Sequence, residues 1–174
     1  MKNEVLDCLK TRRSVRSYRT EQITDEQLDA ILEAGTYAAT GMGRQSPKIV
    51  VLQKPEDIAY LQRLNAGVMG DPNGKPFYGA PTVLIVFADS RIMTSTEDGS
   101  LVIGNLMNAA HAVGVDSCWI HRAREEFETP EGKALMEKWG IDPCYKGVGH
   151  CILGYAATEP AAPRPRKCDY ILKI

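Results

Sequence analysis

The sequence predicts one α+β domain, a sheet packed by helices rather than a doubly wound α/β fold. Three observations carry that expectation. Short β-branched apolar runs and helical repeats both occur. They do not alternate cleanly, and the first strand-like run comes only after two helices. The chain has 174 residues, 44% of them apolar and 25% charged, enough for one full core, and it shows no repeat or linker.

The elements follow in order. In "NEVLDCLKT", Val5, Leu6 and Leu9 share one helical face. The stretch "KTRRSVRSYRTEQ" then reads as irregular and extended. "ITDEQLDAILEAGTYA" restarts a helix, with Thr24 and Gln27 spaced as a capping box and Ile23 as the staple residue. Leu28, Ile31 and Leu32 should face inward. Two glycines and a proline in "ATGMGRQSP" end that helix. "KIVVLQ" is a buried strand, and "PEDIAYLQRLN" is a helix with Pro55 in its first turn. Residues 66–81 hold four glycines and three prolines and read as a long loop.

"TVLIVFAD" is the clearest central strand. "DGSLVIGNLMNAAHAVG" is a long helix, opened by Asp98 as N-cap and closed by Gly114. It is apolar on nearly every side and should lie in the core or at an interface. "VDSCWIH" is a strand, "TPEGKALMEKWG" a helix capped by Thr129, and "VGHCILGYA" a last core strand. "TEPAAPRPRKCDYILKI" is a proline-rich tail with a basic knot at Arg164, Arg166 and Lys167.

Several function classes drop out. A net charge of -1 argues against nucleic acid or another polyanion as partner. No run approaches the roughly 18 apolar residues of a membrane span. "MKNEVLDCLK" has acidic residues where a signal peptide would be apolar, so a cytoplasmic protein is expected. The five cysteines form no CxxC pair and read as small buried hydrophobes, with no metal or iron–sulfur site expected. HExxH and GxSxG are absent, and "KGVGHCILGY" lacks the third glycine and following helix of a Rossmann site. His111 reads as a satisfied core histidine and His150 as a strand residue. His121 ends a strand, where ligands often bind in open sheets.

What remains is charge in a small space. Arg12, Arg13, Arg16 and Arg19 fall within eight positions of a chain that is otherwise near neutral. Arg12, Ser14 and Arg16 share a parity, so an extended backbone points them the same way. Guanidinium forks and a hydroxyl so arranged would clamp a phosphate. A solvated loop is the other reading of the same pattern. Arg164 and Arg166 repeat the parity in the tail, and the two knots could close on one anion. "TGMGRQ" could bring backbone N–H groups against a ligand.

Together, "RRSVRSY", "ITDEQLDAILEAGTYAATGMGRQSPKIVVLQ", "GAPTVLIVFAD", "NAAHAVGVDSCWI" and "LGYAATEPAAPRPRK" resemble, in that order and spacing, the FMN-dependent nitroreductase family. The resemblance covers nearly the whole chain, 1–174, as a single FMN-binding domain. It implies a central, mostly antiparallel sheet flanked by helices. It also implies an intimate homodimer whose tails wrap the partner subunit, with FMN at the interface.

The resemblance assigns roles residue by residue. Arg12 and Ser14 should grip the FMN phosphate, with Arg13 in support. Arg16 should lie near the pyrimidine edge of the flavin, and Arg166 and Lys167 should add phosphate contacts from the tail. Trp119, Ile120 and His121 would line the ring from a strand end. Thr40, Gly43 and Gln45 belong to the loop that reaches across from the partner. Gly43 stands where the family often has Asn, and Ser46-Pro47 where it often has Pro-Trp, so the substrate pocket should be less polar at one point and less aromatic.

The implied activity is ping-pong reduction by NADH or NADPH of a small-molecule electron acceptor, such as a nitroaromatic, quinone or activated alkene. No side chain need act as acid or base, because the flavin carries the chemistry. The same fold could instead reduce enones, fragment flavin, or bind FMN as a redox module without turnover.

Overall fold

The structure is a computed structural model and describes residues 2–174. Helix α1 (Glu4–Thr11) and helix α2 (Asp25–Thr36) precede the first strand, β1 (Lys48–Leu52). Then come α3 (Pro55–Met69), β2 (Thr82–Asp89), α4 (Ser95–Ala112), β3 (Asp116–Ile120), α5 (Ala123–Glu128), α6 (Pro130–Lys138) and β4 (Tyr145–Gly154). The four strands form one sheet in the order β1-β2-β4-β3, and every neighbouring pair is antiparallel. The α+β expectation holds.

Strand alternation divides the core into two layers. Val83, Ile85, Phe87, Cys118, Ile120 and Ile152 face one layer, which Leu61 of α3, Phe127 of α5 and Met136 of α6 complete. Leu84, Val86, Cys151 and Leu153 face the other, against Leu28 and Ile31 of α2 and Val102, Ile103 and Leu106 of α4. β2 is buried along its whole length, as a central strand with helices on both faces must be.

The capping chemistry read from sequence is largely present. Thr24 accepts from the Gln27 N–H while the Gln27 side chain accepts from the Thr24 N–H. Thr129 Oγ1 accepts from the Gly132 N–H at the start of α6. Other boundaries move. α3 runs to Met69, because nothing before the left-handed Gly70 stops it, so the loop is shorter than 66–81. α4 begins at Ser95, with Thr94 in the cap position. Asp98 is therefore not the N-cap; it lies buried within the helix and its carboxylate accepts from the Gly41 N–H at 2.9 Å and from Thr94 Oγ1 at 3.1 Å.

Helix α5 had no separate sequence signal, since its six residues are too few to show a period. β4 starts at Tyr145, three residues ahead of the expected start, and a bulge opposite Val86/Phe87 absorbs Val148. α4 is not enclosed on all sides. Its Leu101 is exposed, as are Val5, Leu6 and Leu9 of α1, which has no buried residue. Only Cys118 and Cys151 are buried cysteines; Cys8 and Cys144 are half-buried and Cys168 is exposed. His111 is half-buried rather than in the core, with Nε2 2.8 Å from Thr11 Oγ1. No helix among the described residues is long and apolar enough to cross a membrane.

Candidate cofactor site

The arginine segment lies along the free edge of β3. Ser14 bridges Ser117 in parallel, the Val15 N–H donates to the Ser117 carbonyl at 3.0 Å, and Tyr18 bridges Ala156. Val15 and Tyr18 enter the core, while Ser14 and Arg16 stay exposed. Alternation holds over Ser14, Val15 and Arg16 but not beyond: Tyr18, of the same parity as Ser14 and Arg16, turns in. Tyr18 fixes the segment further. Its hydroxyl donates to the Val15 carbonyl at 2.9 Å, and burial raises its pKa so that it keeps the proton it donates. Its ring lies on Gly154, where an added Cβ would approach Tyr18 Cδ1 to 2.9 Å, which explains the glycine there.

Arg12 follows α1 directly, as its C-cap. Its Nη1 is buried and has no hydrogen-bond partner among the described residues, and Ser117 Oγ beneath the segment is in the same state. Such orphaned buried groups are rare and call for a ligand or water. Burial raises the Cys118 thiol above its usual range, while Arg16, a hydrogen bond with Ser14, and Arg12 oppose that rise. Arg13 does not present its guanidinium with them. Nη1 turns back to the carbonyls of Arg12 at 2.7 Å and Lys10 at 2.8 Å, which caps the end of α1.

The "TGMGRQ" loop is a strained, exposed turn. Met42, Gly43 and Gln45 all have positive φ, and Met42 is 87% exposed. Thr40 Oγ1 accepts from the Gln45 N–H at 3.0 Å, and Asp98 holds Gly41 from below. A side chain at Gly41 would drive its Cβ into Thr94 Oγ1, which is why glycine stands at this docking point. Thr40 and Gln45 also border a cavity of about 380 Å³ with Leu32, Pro47 and Val102.

The two parts do not meet in one chain. The loop leads into Lys48, which pairs with Phe87, itself opposite Gly147. Ser14 sits by Ser117, which pairs with Leu153, itself opposite Thr82. Those are diagonally opposite corners of the sheet, separated by about 14 Å across three strand spacings alone.

Trp119 points to the α4 layer, against Gly149. Ile120 is buried in the other layer, and His121 is exposed just beyond β3. Arg166 and Lys167 lie in an exposed tail without helix or strand, and Arg166 donates to the Arg164 carbonyl. The structure does not close the two basic knots on one another.

Sequence reading also missed a buried polar cluster behind the end of β3. Asn65, Glu126 and His150 are fully buried there, with His150 Nε2 3.0 Å from Glu126 Oε2. Three distant single residues leave no motif that could have announced it.

This architecture has close counterparts. The nitroreductase family model matches residues 9–155, and the chain belongs to that family. A nitroreductase from Bacteroides fragilis, solved with bound FMN, superposes with a TM-score of 0.93 at 29% identity, covering 99% of this chain and 100% of that one. A protein of Archaeoglobus fulgidus named as an NADH dehydrogenase/NAD(P)H nitroreductase is 29% identical over 88% of this chain and 87% of its own length. A like-named protein of Methanothermobacter thermautotrophicus is 27% identical over 68% of this chain, and the match spans 61% of that relative's length.

Proposed function

We propose that the protein is an FMN-dependent NAD(P)H oxidoreductase that reduces nitroaromatics, quinones or related small acceptors, working as a homodimer. The carrying observation is the buried Nη1 of Arg12, without a partner among the described residues, two positions before the exposed Ser14. A guanidinium donor with no protein acceptor fits a phosphate better than any neutral group. The orphaned Ser117 Oγ lies at the same edge. The FMN bound to the Bacteroides relative and the NAD(P)H nitroreductase names of the archaeal ones support the same reading.

FMN would supply the redox chemistry, taking hydride from a reduced nicotinamide and giving electrons to the acceptor. The chain's own residues bind and orient. Arg12 and Ser14 would hold the phosphate, and Arg13 keeps the end of α1 in register behind them. Arg16 would place a fixed positive charge where negative charge develops on reduction. His121, with the backbone of Trp119 and Ile120, would form the wall at the β3 end. Arg166 and Lys167 would add cations from the tail, and Thr40, Gly43 and Gln45 would come from the second subunit.

Dimerisation is supported by what one chain leaves open. Val5 and Leu9 are exposed along an α1–α4 groove of about 560 Å³, and Leu6 and Leu101 are exposed elsewhere on the same two helices. Tyr170, Ile171, Leu172 and Ile174 of the tail are exposed as well. The loop and the arginine segment, at opposite corners, can serve one ligand only if each comes from a different copy. We place the enzyme in the cytoplasm, a reducing compartment in keeping with five unpaired cysteines.

The test is the visible spectrum of the purified protein, its oligomeric mass, and its oxidation of NADH and NADPH with a nitroaromatic or quinone. A flavin spectrum, a dimer and acceptor-dependent turnover are expected. A protein that takes up no FMN when it is supplied would overturn the reading.

A further inference from the structure

The cluster behind β3 joins four elements. Asn65 of α3 donates through Nδ2 to Glu126 Oε2 of α5 and to the His121 carbonyl, each at 3.1 Å. Arg122 Nε donates to Asn65 Oδ1 at 3.1 Å. His150 of β4 contacts Glu126 Oε2 through Nε2 at 3.0 Å and donates through Nδ1 to the Ile120 carbonyl at 3.3 Å. Asn65, Glu126 and His150 are all 0% exposed, and the His150 ring lies among Phe77 and Phe127.

Two features separate this cluster from ordinary core packing. Its outward bonds converge on three consecutive residues, Ile120, His121 and Arg122, where the chain leaves β3. Arg122 there holds a left-handed φ of 75°, uncommon for a residue with a side chain. The cluster is also incompletely satisfied. Glu126 Oε1 has no partner, and His150 Nε2 meets the carboxylate without an in-line hydrogen bond. Burying such a pair in an aromatic pocket is a poor way to gain stability, and an apolar replacement of equal volume is often as stable or more so. Strain and unsatisfied groups persist where the local shape they hold is needed.

We propose that Asn65, Glu126 and His150 are positioning residues: a buried brace that fixes the Ile120–Arg122 turn against which the flavin ring is to lie. This rests on the function proposed above. None of the three would touch cofactor or substrate; they act through the carbonyls of Ile120 and His121 and the Arg122 side chain.

The experiment compares the parent with the paired variant Glu126→Leu/His150→Phe, with Glu126→Gln, and with the control Phe127→Leu, which loosens the packing beside His150 but removes none of the brace's hydrogen bonds. Backbone hydrogen exchange at residues 120–122 is measured on FMN-free protein. Flavin reduction by nicotinamide is measured at saturating FMN. Exchange at 120–122 should accelerate in Glu126→Gln and in the pair but not in Phe127→Leu. Reduction should slow by about ten- to a hundred-fold, as expected when reacting groups are misplaced by around an ångström. The melting temperature of the pair should stay level or rise.

Unchanged exchange at 120–122 in both brace variants overturns the brace itself. Faster exchange with parental reduction rates overturns its role at the site, as does an equal rate loss in Phe127→Leu. A parent that binds no FMN is a failure of the functional reading, visible without any variant, and the exchange comparison then still judges the brace.

Discussion

The arginine segment and the basic stretch of the tail carry the same pattern, arginines of shared parity, and reach different states. Between Arg12 and Arg19 the chain places Val15, 5% exposed, and Tyr18, 9% exposed, and these bury themselves against β3 and β4. Ser14 and Arg16, on either side of Val15, are thereby set before any ligand arrives. Between Arg164 and the residues around it stand Pro163 and Pro165, which have no N–H to give a sheet edge and no apolar bulk to bury. The tail is exposed and holds no helix or strand, and Arg166 donates to the Arg164 carbonyl. The lesson is that neighbours, not arginines, decide which cluster is preorganised. An undocked arginine must also give up roughly 2 kcal/mol of rotamer freedom when it binds.

The largest test of this contrast removes the undocked half. Deleting residues 158–174 takes away no helix or strand, since β4 ends at Gly154, so the fold should remain. If the tail finds its place on a second copy, the truncated chain should be a monomer by light scattering. Its FMN affinity should drop by at least about a hundredfold, the loss of two charge-assisted contacts at roughly 1.5–3 kcal/mol each. A truncated protein that stays dimeric and binds FMN normally would show that the tail is an unused appendage.

The docked half comes next. Arg12→Ala should weaken FMN by about ten- to a hundred-fold, through the loss of one such contact. Riboflavin lacks the phosphate, and its weaker binding should be nearly unmoved. Paired titrations give the ratio directly. An equal loss for both ligands would mean that Arg12 supports the fold rather than the phosphate.

Arg16→Ala should act on chemistry more than on affinity. With the site saturated by FMN, removing a positive charge should lower the flavin potential and slow nicotinamide-driven reduction by about tenfold, the scale of one pKa-unit-sized electrostatic loss. Spectroelectrochemistry and stopped-flow traces check it. A potential equal to the parent's would leave Arg16 as a surface charge.

How much of this was legible beforehand follows the same logic of neighbours. β2, "TVLIVFAD", could be read because burial on both faces leaves a continuous apolar run. The Thr24–Gln27 capping box could be read because both partners lie within one turn. Asp98 was misread for the opposite reason. An Asp before an apolar run looks like a cap, yet its partner is Gly41, 57 residues away. Arg12, Ser14 and Arg16 were legible as a parity pattern, but the orientation of Arg13 depends on where α1 ends. The diagonal separation of loop and arginine segment needed the strand order, which no local pattern encodes.

Arg13 supplies the finest test, because it sits in the docked cluster yet behaves like Arg166. Both guanidiniums already donate to backbone carbonyls, Arg13 to Lys10 and Arg12, Arg166 to Arg164. Arg13→Ala should therefore cost α1 its C-terminal cap, about 0.3–1 kcal/mol of stability, read in a small fall in melting temperature. FMN affinity should change by less than about fivefold, the reach of a charge that makes no direct contact, and the FMN-to-riboflavin ratio should hold within that same margin. If Arg13→Ala instead matched Arg12→Ala in its selective loss of FMN, its guanidinium would have to leave the helix end on binding. Preorganisation would then no longer distinguish the first cluster from the tail, and both would have to be described as cations recruited by the ligand.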